Sequence, residues 1–320
     1  MTQLRLRPLL KGLATFVPGV RGLANRGSGG TTSARYCYAV WMRHLVQLAD
    51  AGLPTIPRRI AELGPGDSLG IGLAAMLSGA DEYYAFDARP HASPARNQRI
   101  LHELVTLFRT REPIPGELEF PLVQPRLACY AFPTDILSAD RLSATLAPDR
   151  VTAIAAALGG RADAPIRIGY VAPWDAATLL RPGTIELALS QAVLEHVEDV
   201  GATYRALAAW LAEDGVVSHA IDFQSHGLTR EWYGHWTVGD FGWRVLKGTR
   251  PYLINRVPCS EHLAGMRQAG FRIVRVVREQ APAAPRHQLA ERFATLPDQD
   301  LDTRSAYVQA RKIAPPAEST

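Results

Sequence analysis

Cysteine is scarce in this 320-residue chain: Cys37, Cys129 and Cys259 stand far apart. Three such residues give neither an even disulfide set nor a metal-ligand spacing, so a reducing, cytoplasmic compartment is expected. Long apolar runs are also missing, and no stretch approaches the roughly 18 residues of a membrane-spanning helix. The segment 9-LLKGLATFVPGV-20 is interrupted by Lys11, Gly12 and Pro18 and makes a poor secretory leader. C-x-x-C pairs, aromatic RNA-binding signatures and internal repeats are all lacking. A net charge of only +4 leaves no electrostatic footprint for nucleic acid. The first 49 residues lack acids altogether, while carrying Arg5, Arg7, Lys11, Arg21, Arg26, Arg35 and Arg43. That asymmetry reads as a loosely packed basic arm, or as a segment that touches an anionic membrane surface or a phosphorylated substrate.

What is present is the composition of a folded enzyme, 47% hydrophobic and 21% charged. A break at 27-GSGGTT-32 precedes a helix over 33-SARYCYAVWMRHLVQLADAG-52, capped by Ser33 and stopped by Pro54 and Pro57. Strands then alternate with helices. Strands are expected at 60–63, 83–86, 166–171, 185–190, 216–223, 271–277 and 306–312, and helices at 68–79, 199–212 and 260–270. A turn is expected at 213-EDG-215. This pattern predicts an α/β fold, a doubly wound, mainly parallel seven-stranded sheet covered on both faces. Residues 88–165, with helix-like 95–110 and two more helical stretches after Pro133, are too long for a plain connection and read as an inserted helical cap. Residues 224–258, rich in His, Trp and Gly, form a substrate-side loop, and 314–320 read as a disordered tail. The expected organisation is an amino-terminal extension and helix over 1–57, a main domain over 58–313 and the tail.

The stretch 60-IAELGPGDSLGIGLAAMLSGADEYYAFD-87 carries the densest functional signal. In such sheets ligands bind outside the carboxyl ends of the strands. Glycines in the first turn, Gly64 and Gly66, let backbone approach a ligand with no Cβ in the way. The spacing continues to Gly70 with Leu69 where a dinucleotide fingerprint needs glycine. Glu62 at the head of the turn repels phosphate and suits an ammonium group. Asp87, at the tip of the next strand, can accept both hydroxyls of a ribose. A ligand with a ribose, an amino acid part and no phosphate fits this set, as S-adenosylmethionine does.

These residues, with the acid in 173-PWDA-176 and the segment 185-IELALSQAVLEHVED-199, resemble the class I S-adenosylmethionine-dependent methyltransferases. The likeness covers about 58–90 and 166–312. Residues 33-SARYCYAVWMRHL-45 and 218-SHAIDFQSHG-227 further resemble a bacterial subgroup with an amino-terminal extension and a cap. The resemblance implies a Rossmann-like methyltransferase fold and S-adenosylmethionine as cofactor. It implies that Glu62, Gly64 and Gly66 line the methionine end, Asp87 holds the ribose and Asp175 accepts from the adenine amino group. Ser190 and Gln191 would then sit under the sulfonium. Ser68 stands where the family often has a third glycine, and it or Asp67 can cap the following helix.

The cofactor brings the reactive methyl, so the protein must align an acceptor with it and, for a hydroxyl acceptor, take a proton. Three candidate bases stand open: Asp222 and His226 at the carboxyl end of strand five, and His235 between Trp232 and Trp236. His219 reads as a core histidine. Glu195 and His196 form a tempting acid–base pair but read as structural residues at the start of a helix. Asp222, His226 and Asp240 match no rigid metal spacing, and no metal is expected. Trp232, Tyr233, Trp236 and Trp243 either stack on a sugar or form the core of a lid. The expected function is O-methylation of a small molecule or glycan, without nucleic acid and with peripheral membrane contact through the basic segment. A nicotinamide-dependent oxidoreductase is the rival enzyme, opposed by Leu69. A non-catalytic methyltransferase-like binding subunit is the rival outside catalysis, opposed by the intact turn and Asp87.

Overall fold

The computed structural model describes residues 5–15, 30–161, 166–174, 180–250 and 252–313. Asp175 and the tail 314–320 lie outside the described residues. In chain order the elements are α1 (Leu6–Ala14), α2 (Ala34–Asp50), β1 (Arg59–Leu63), α3 (Gly70–Ser78), β2 (Glu82–Phe86), α4 (Pro94–Arg109), α5 (Ala139–Thr145) and α6 (Pro148–Leu158). There follow β3 (Arg167–Val171), β4 (Ile185–Gln191), α7 (Val200–Trp210), β5 (Leu211–Asp222), α8 (Asp240–Lys247), α9 (Cys259–Gln268), β6 (Phe271–Gln280) and β7 (Thr303–Lys312). Local chemistry sets several of the ends. Ser33, Ser93 and Asp199 accept from the exposed amides that open α2, α4 and α7. Gly52, with φ at +64°, supplies the left-handed residue after α2, and Leu53 N closes back onto Leu48 O.

The strands form one sheet in the order β3-β2-β1-β4-β5-β7-β6. All neighbours run parallel except β7, which is antiparallel to both β5 and β6. Because side chains alternate along a strand, β1 sends Ile60 to one face and Ala61 to the other. The Ile60 face is covered by α2 to α6, where Trp41, Tyr38, Leu45 and Leu48 of α2 are fully buried. The Ala61 face is covered by α7 and α9, with Tyr204, Leu207 and Trp210 at its centre. Each such buried side chain contributes about 1.5–3 kcal/mol. The seven-stranded, doubly wound, mainly parallel sheet expected from the sequence is therefore the one observed.

Three expectations need correction. Residues 88–165 do not form a separate cap: Ile100, Leu104 and Phe108 of α4, Leu142 of α5 and Ile154 of α6 share one continuous apolar core with α2, α3 and the sheet. Residues 5–15 are not a loose arm. α1 packs on α8, Arg250 donates to Pro8 O, Thr249 N donates to Thr15 Oγ1 and Arg5 N donates to Leu228 O. Of the basic residues there, Arg35 is held by Glu112 and Glu119, and Arg43 is buried. Finally, β5 starts at Leu211, before the expected turn at 213–215; Asp214 has φ at +61° and the pairing with β4 shifts register between Ile185 and Leu187. Residues 212–215 make no ladder pair and regular pairing resumes at Val216, so the expected turn sits as an irregularity inside β5.

Candidate active site

The turn after β1 is built from backbone and then locked by side chains from elsewhere. Gly64 and Gly66 hold φ at +65° and +73°, a region that glycine enters without cost. A Cβ on Gly64 would overlap Val193, so the turn lies directly against the segment that follows β4. Gly64 N donates to Phe86 O at 2.7 Å, tying the turn to the end of β2. Three amides at the start of α3 are already taken. Ser68 N donates to Thr31 Oγ1 at 2.9 Å, Leu69 N to Asn97 Oδ1 at 3.0 Å and Gly70 N to Ser68 Oγ at 3.2 Å. Thr31, expected in a flexible break, is thus a buried brace that also donates to Pro65 O at 2.7 Å.

Asp87 stands at the tip of β2, as the sequence places it. Its carboxylate accepts from Gly66 N and from Arg89 N, each at 3.2 Å, which leaves acceptor capacity on both oxygens. Burial pushes this carboxyl above its ordinary value, against the two amides. Its own carbonyl accepts from Trp174 N at 2.8 Å, which sets Trp174 beside Phe86 and Trp210 at the rim of the sheet. Trp174 Nε1 is buried without a partner.

Glu62 does not present an open carboxylate. It is 1% exposed, accepts from Tyr83 Oη at 2.6 Å and from the Gly72 amide, and burial pushes it up to about 8. Gly72 makes this possible, since a Cβ there would overlap the Tyr83 ring. Ser190 is likewise enclosed: its Oγ shares a hydrogen bond with His219 Nδ1 at 2.8 Å. His219 is a core histidine, pushed down to about 3 by burial. Gln191 is partly exposed, and its Oε1 is buried without a partner.

The carboxyl ends of β4 and β5 bring a second set together. Beyond β4, Leu194–His196 form one 3-10 turn, and Asn255 of the 224–258 segment clamps it by donating to Leu194 O at 2.7 Å and Val197 O at 2.9 Å. Glu195 on this turn is 3% exposed, and no side chain bonds either carboxylate oxygen, though its own amide and that of Asp222 act on it. Burial pushes its carboxyl well up. His196 Nδ1 bonds Tyr252 O at 2.9 Å, and burial pushes the ring down to about 4. Beyond β5, Asp222 Oδ2 lies 3.4 Å from His226 Nε2. Burial raises the Asp222 carboxyl, but His226 and the Gln224 amide outweigh it and hold the group below its ordinary value. His226 has φ at +48°, a left-handed conformation that a residue with a side chain adopts only when its surroundings impose it. The His196 and His226 rings meet edge to face, centroids 5.0 Å apart. Glu195 and His196 were expected to be structural; the signal that marks them is their position just past the end of β4, where ligands bind in such sheets.

Two other expectations change. His235 is 2% exposed and pushed down to about 3 by burial, so it is not open to an acceptor as a base. Asp240 pairs with Arg256 at 3.0 Å instead of joining His226. The aromatics form a lid core: Trp236 is fully buried with its Nε1 donating to Arg256 O, and Arg256 lies over Trp243 at 4.4 Å.

No family model and no curated protein matches the chain. Solved structures do. An S-adenosylmethionine-dependent methyltransferase from Mesorhizobium loti is 16% identical, with 83% of this chain and 96% of that one covered, at a TM-score of 0.41. A methyltransferase of the same description from Methanosarcina mazei is 11% identical, with 84% and 98% covered, at 0.43. Phosphoethanolamine N-methyltransferase 2 of Haemonchus contortus, in complex with S-adenosyl-L-methionine, is 13% identical, with 93% and 61% covered, at 0.44. At such values the likeness carries no weight in assigning an activity, which must be argued from this chain's own residues.

Proposed function

We propose that the protein is an S-adenosylmethionine-dependent methyltransferase acting on an oxygen of a small molecule or glycan. The observation that carries the reading is the state of the first turn. Helix starts bind phosphates through free amides. Here the amides of Ser68, Leu69 and Gly70 are spent on Thr31, Asn97 and Ser68, while Asp87 keeps spare acceptor capacity for ribose hydroxyls. That arrangement disfavours a dinucleotide and suits a nucleoside without phosphate. Gly64 and Gly66 then line the amino acid end, and Asp87 holds the ribose. Asp222 and His226 face the acceptor beyond β5 and take part in removing its proton. Calorimetry is expected to show binding of S-adenosylmethionine or its demethylated product and none of nicotinamide dinucleotides. A panel of hydroxylated small molecules and glycans should yield an acceptor that gains the mass of one methyl. Preferential dinucleotide binding would end the reading.

A peripheral membrane contact is proposed on α1. Leu10 and Leu13 are 60% and 46% exposed beside the exposed Arg7 and Lys11, and Phe241 of the neighbouring α8 is 80% exposed. Basic and apolar groups mixed on one surface suit an anionic bilayer. Among the described residues no helix is long and apolar enough to cross one. Co-flotation with anionic vesicles, lost at high salt, tests the contact.

A further inference from the structure

Glu195 presents a problem the proposed methyl transfer does not solve by itself. Glu195 is 3% exposed and no side chain is bonded to either oxygen of its carboxyl, whereas buried acids are ordinarily paired or bound to a metal. Its neighbours are two imidazoles, and among the described residues no ammonium or guanidinium group pairs with it. One ligand atom from each of Glu195, His196 and His226 lies within 4.8 Å of the others. Ligands of one ion, bonded at about 2.0–2.2 Å, stand some 3–4 Å apart, and the His226 ring is the exposed member of the set. His196 is already oriented as a ligand would be: its Nδ1 is engaged with Tyr252 O, which leaves Nε2 bare. Asp222 adds a further carboxylate 3.4 Å from His226.

We infer that Glu195, His196 and His226 bind a divalent transition-metal ion, with Asp222 beside them, at the carboxyl ends of β4 and β5. Two imidazoles with a carboxylate favour ions such as manganese or zinc over magnesium or calcium. Three protein ligands leave coordination positions for an oxygen of the acceptor. Resting on the proposed function, the ion binds the acceptor hydroxyl and lowers its pKa. The hydroxyl proton passes to Asp222 or to water. An oxygen lone pair forms the bond to the methyl carbon, the carbon–sulfur bond breaks with its pair left on sulfur, and the sulfonium becomes a neutral thioether.

The test separates metal binding from activity. Protein stripped with a chelator is titrated calorimetrically with manganese and with zinc, and with magnesium and calcium for comparison. One transition ion per chain is expected, with a metal-induced rise in Tm. Glu195→Gln and His196→Ala should each weaken binding at least about 10- to 100-fold and abolish the Tm rise, while His287→Ala on the exposed surface leaves both unchanged. Unaltered binding of S-adenosylmethionine to the variants shows that they fold. Absence of transition-ion binding by the wild type, or full binding by properly folded Glu195→Gln and His196→Ala, overturns the inference. Metal bound at this site without any methylated acceptor leaves the inference standing and counts against the proposed transfer.

Discussion

The two ends of the candidate site are finished to different degrees. At the turn after β1 nearly every polar group is engaged: Thr31, Asn97 and Ser68 occupy the amides of α3, and Tyr83 occupies Glu62. At the ends of β4 and β5 the reverse holds, with Glu195 buried and unpaired and His226 held in a left-handed conformation. A satisfied, glycine-built turn is rigid before any ligand arrives, which suits a cofactor bound in one pose. An unsatisfied cluster is unstable until something completes it, which suits a reacting partner. Under the proposed function, the contrast places affinity at one end and turnover at the other.

The sharpest way to break that division is His226→Ala. It should lower turnover by roughly 10²–10⁴-fold, as expected for losing a group that assists proton removal, and leave cofactor affinity nearly intact. Steady-state kinetics beside calorimetry decides it, and a variant whose loss lies in cofactor binding would collapse the distinction. Asp87→Ala probes the other end. Losing a charge-assisted hydrogen bond costs about 1.5–3 kcal/mol, so cofactor affinity should fall about 10- to 150-fold. Unchanged affinity would mean that another acid holds the ribose.

A third test concerns Glu62, whose folded pKa of about 8 lies above its ordinary 4.5. The folded state therefore holds a proton that the unfolded chain releases. The stability this contributes is full below the unfolded value and is lost as pH rises through the folded one. Glu62→Gln keeps the acceptor for Tyr83 and removes the titration. Urea midpoints at about pH 5 and about pH 9 should fall less in Glu62→Gln than in the wild type. An unaltered slope would show that Glu62 is not the buried acid that titrates.

Periodicity made the sheet legible, because buried strands and their covering helices repeat apolar residues at their own spacings. Ser33 announced α2, and the chemistry of 64–66 and Asp87 announced the turn and the strand tip. What stayed hidden depends on partners distant in sequence. α1 is short and interrupted by Pro8 and Gly12, and its identity as a helix becomes intelligible only once Leu246 and Arg250 are seen beneath it. Thr31 looks like linker until Pro65 and Ser68 are brought to it. Residues 88–165 read as a cap because length says nothing about where Ile100, Leu104 and Phe108 are buried. Glu195 and His196 looked like helix-start residues; only the return of β5 sets His226 against them.

The fit of Gly72 against Tyr83 has a consequence for descent. A side chain at 72 would strike the ring at 83, and a smaller residue at 83 would strand the carboxylate of Glu62. A change at 72 or at 83 alone therefore costs packing or a hydrogen bond, whereas Glu62→Gln spares both. Glycine and tyrosine, 11 positions apart in the chain, constrain each other's replacement.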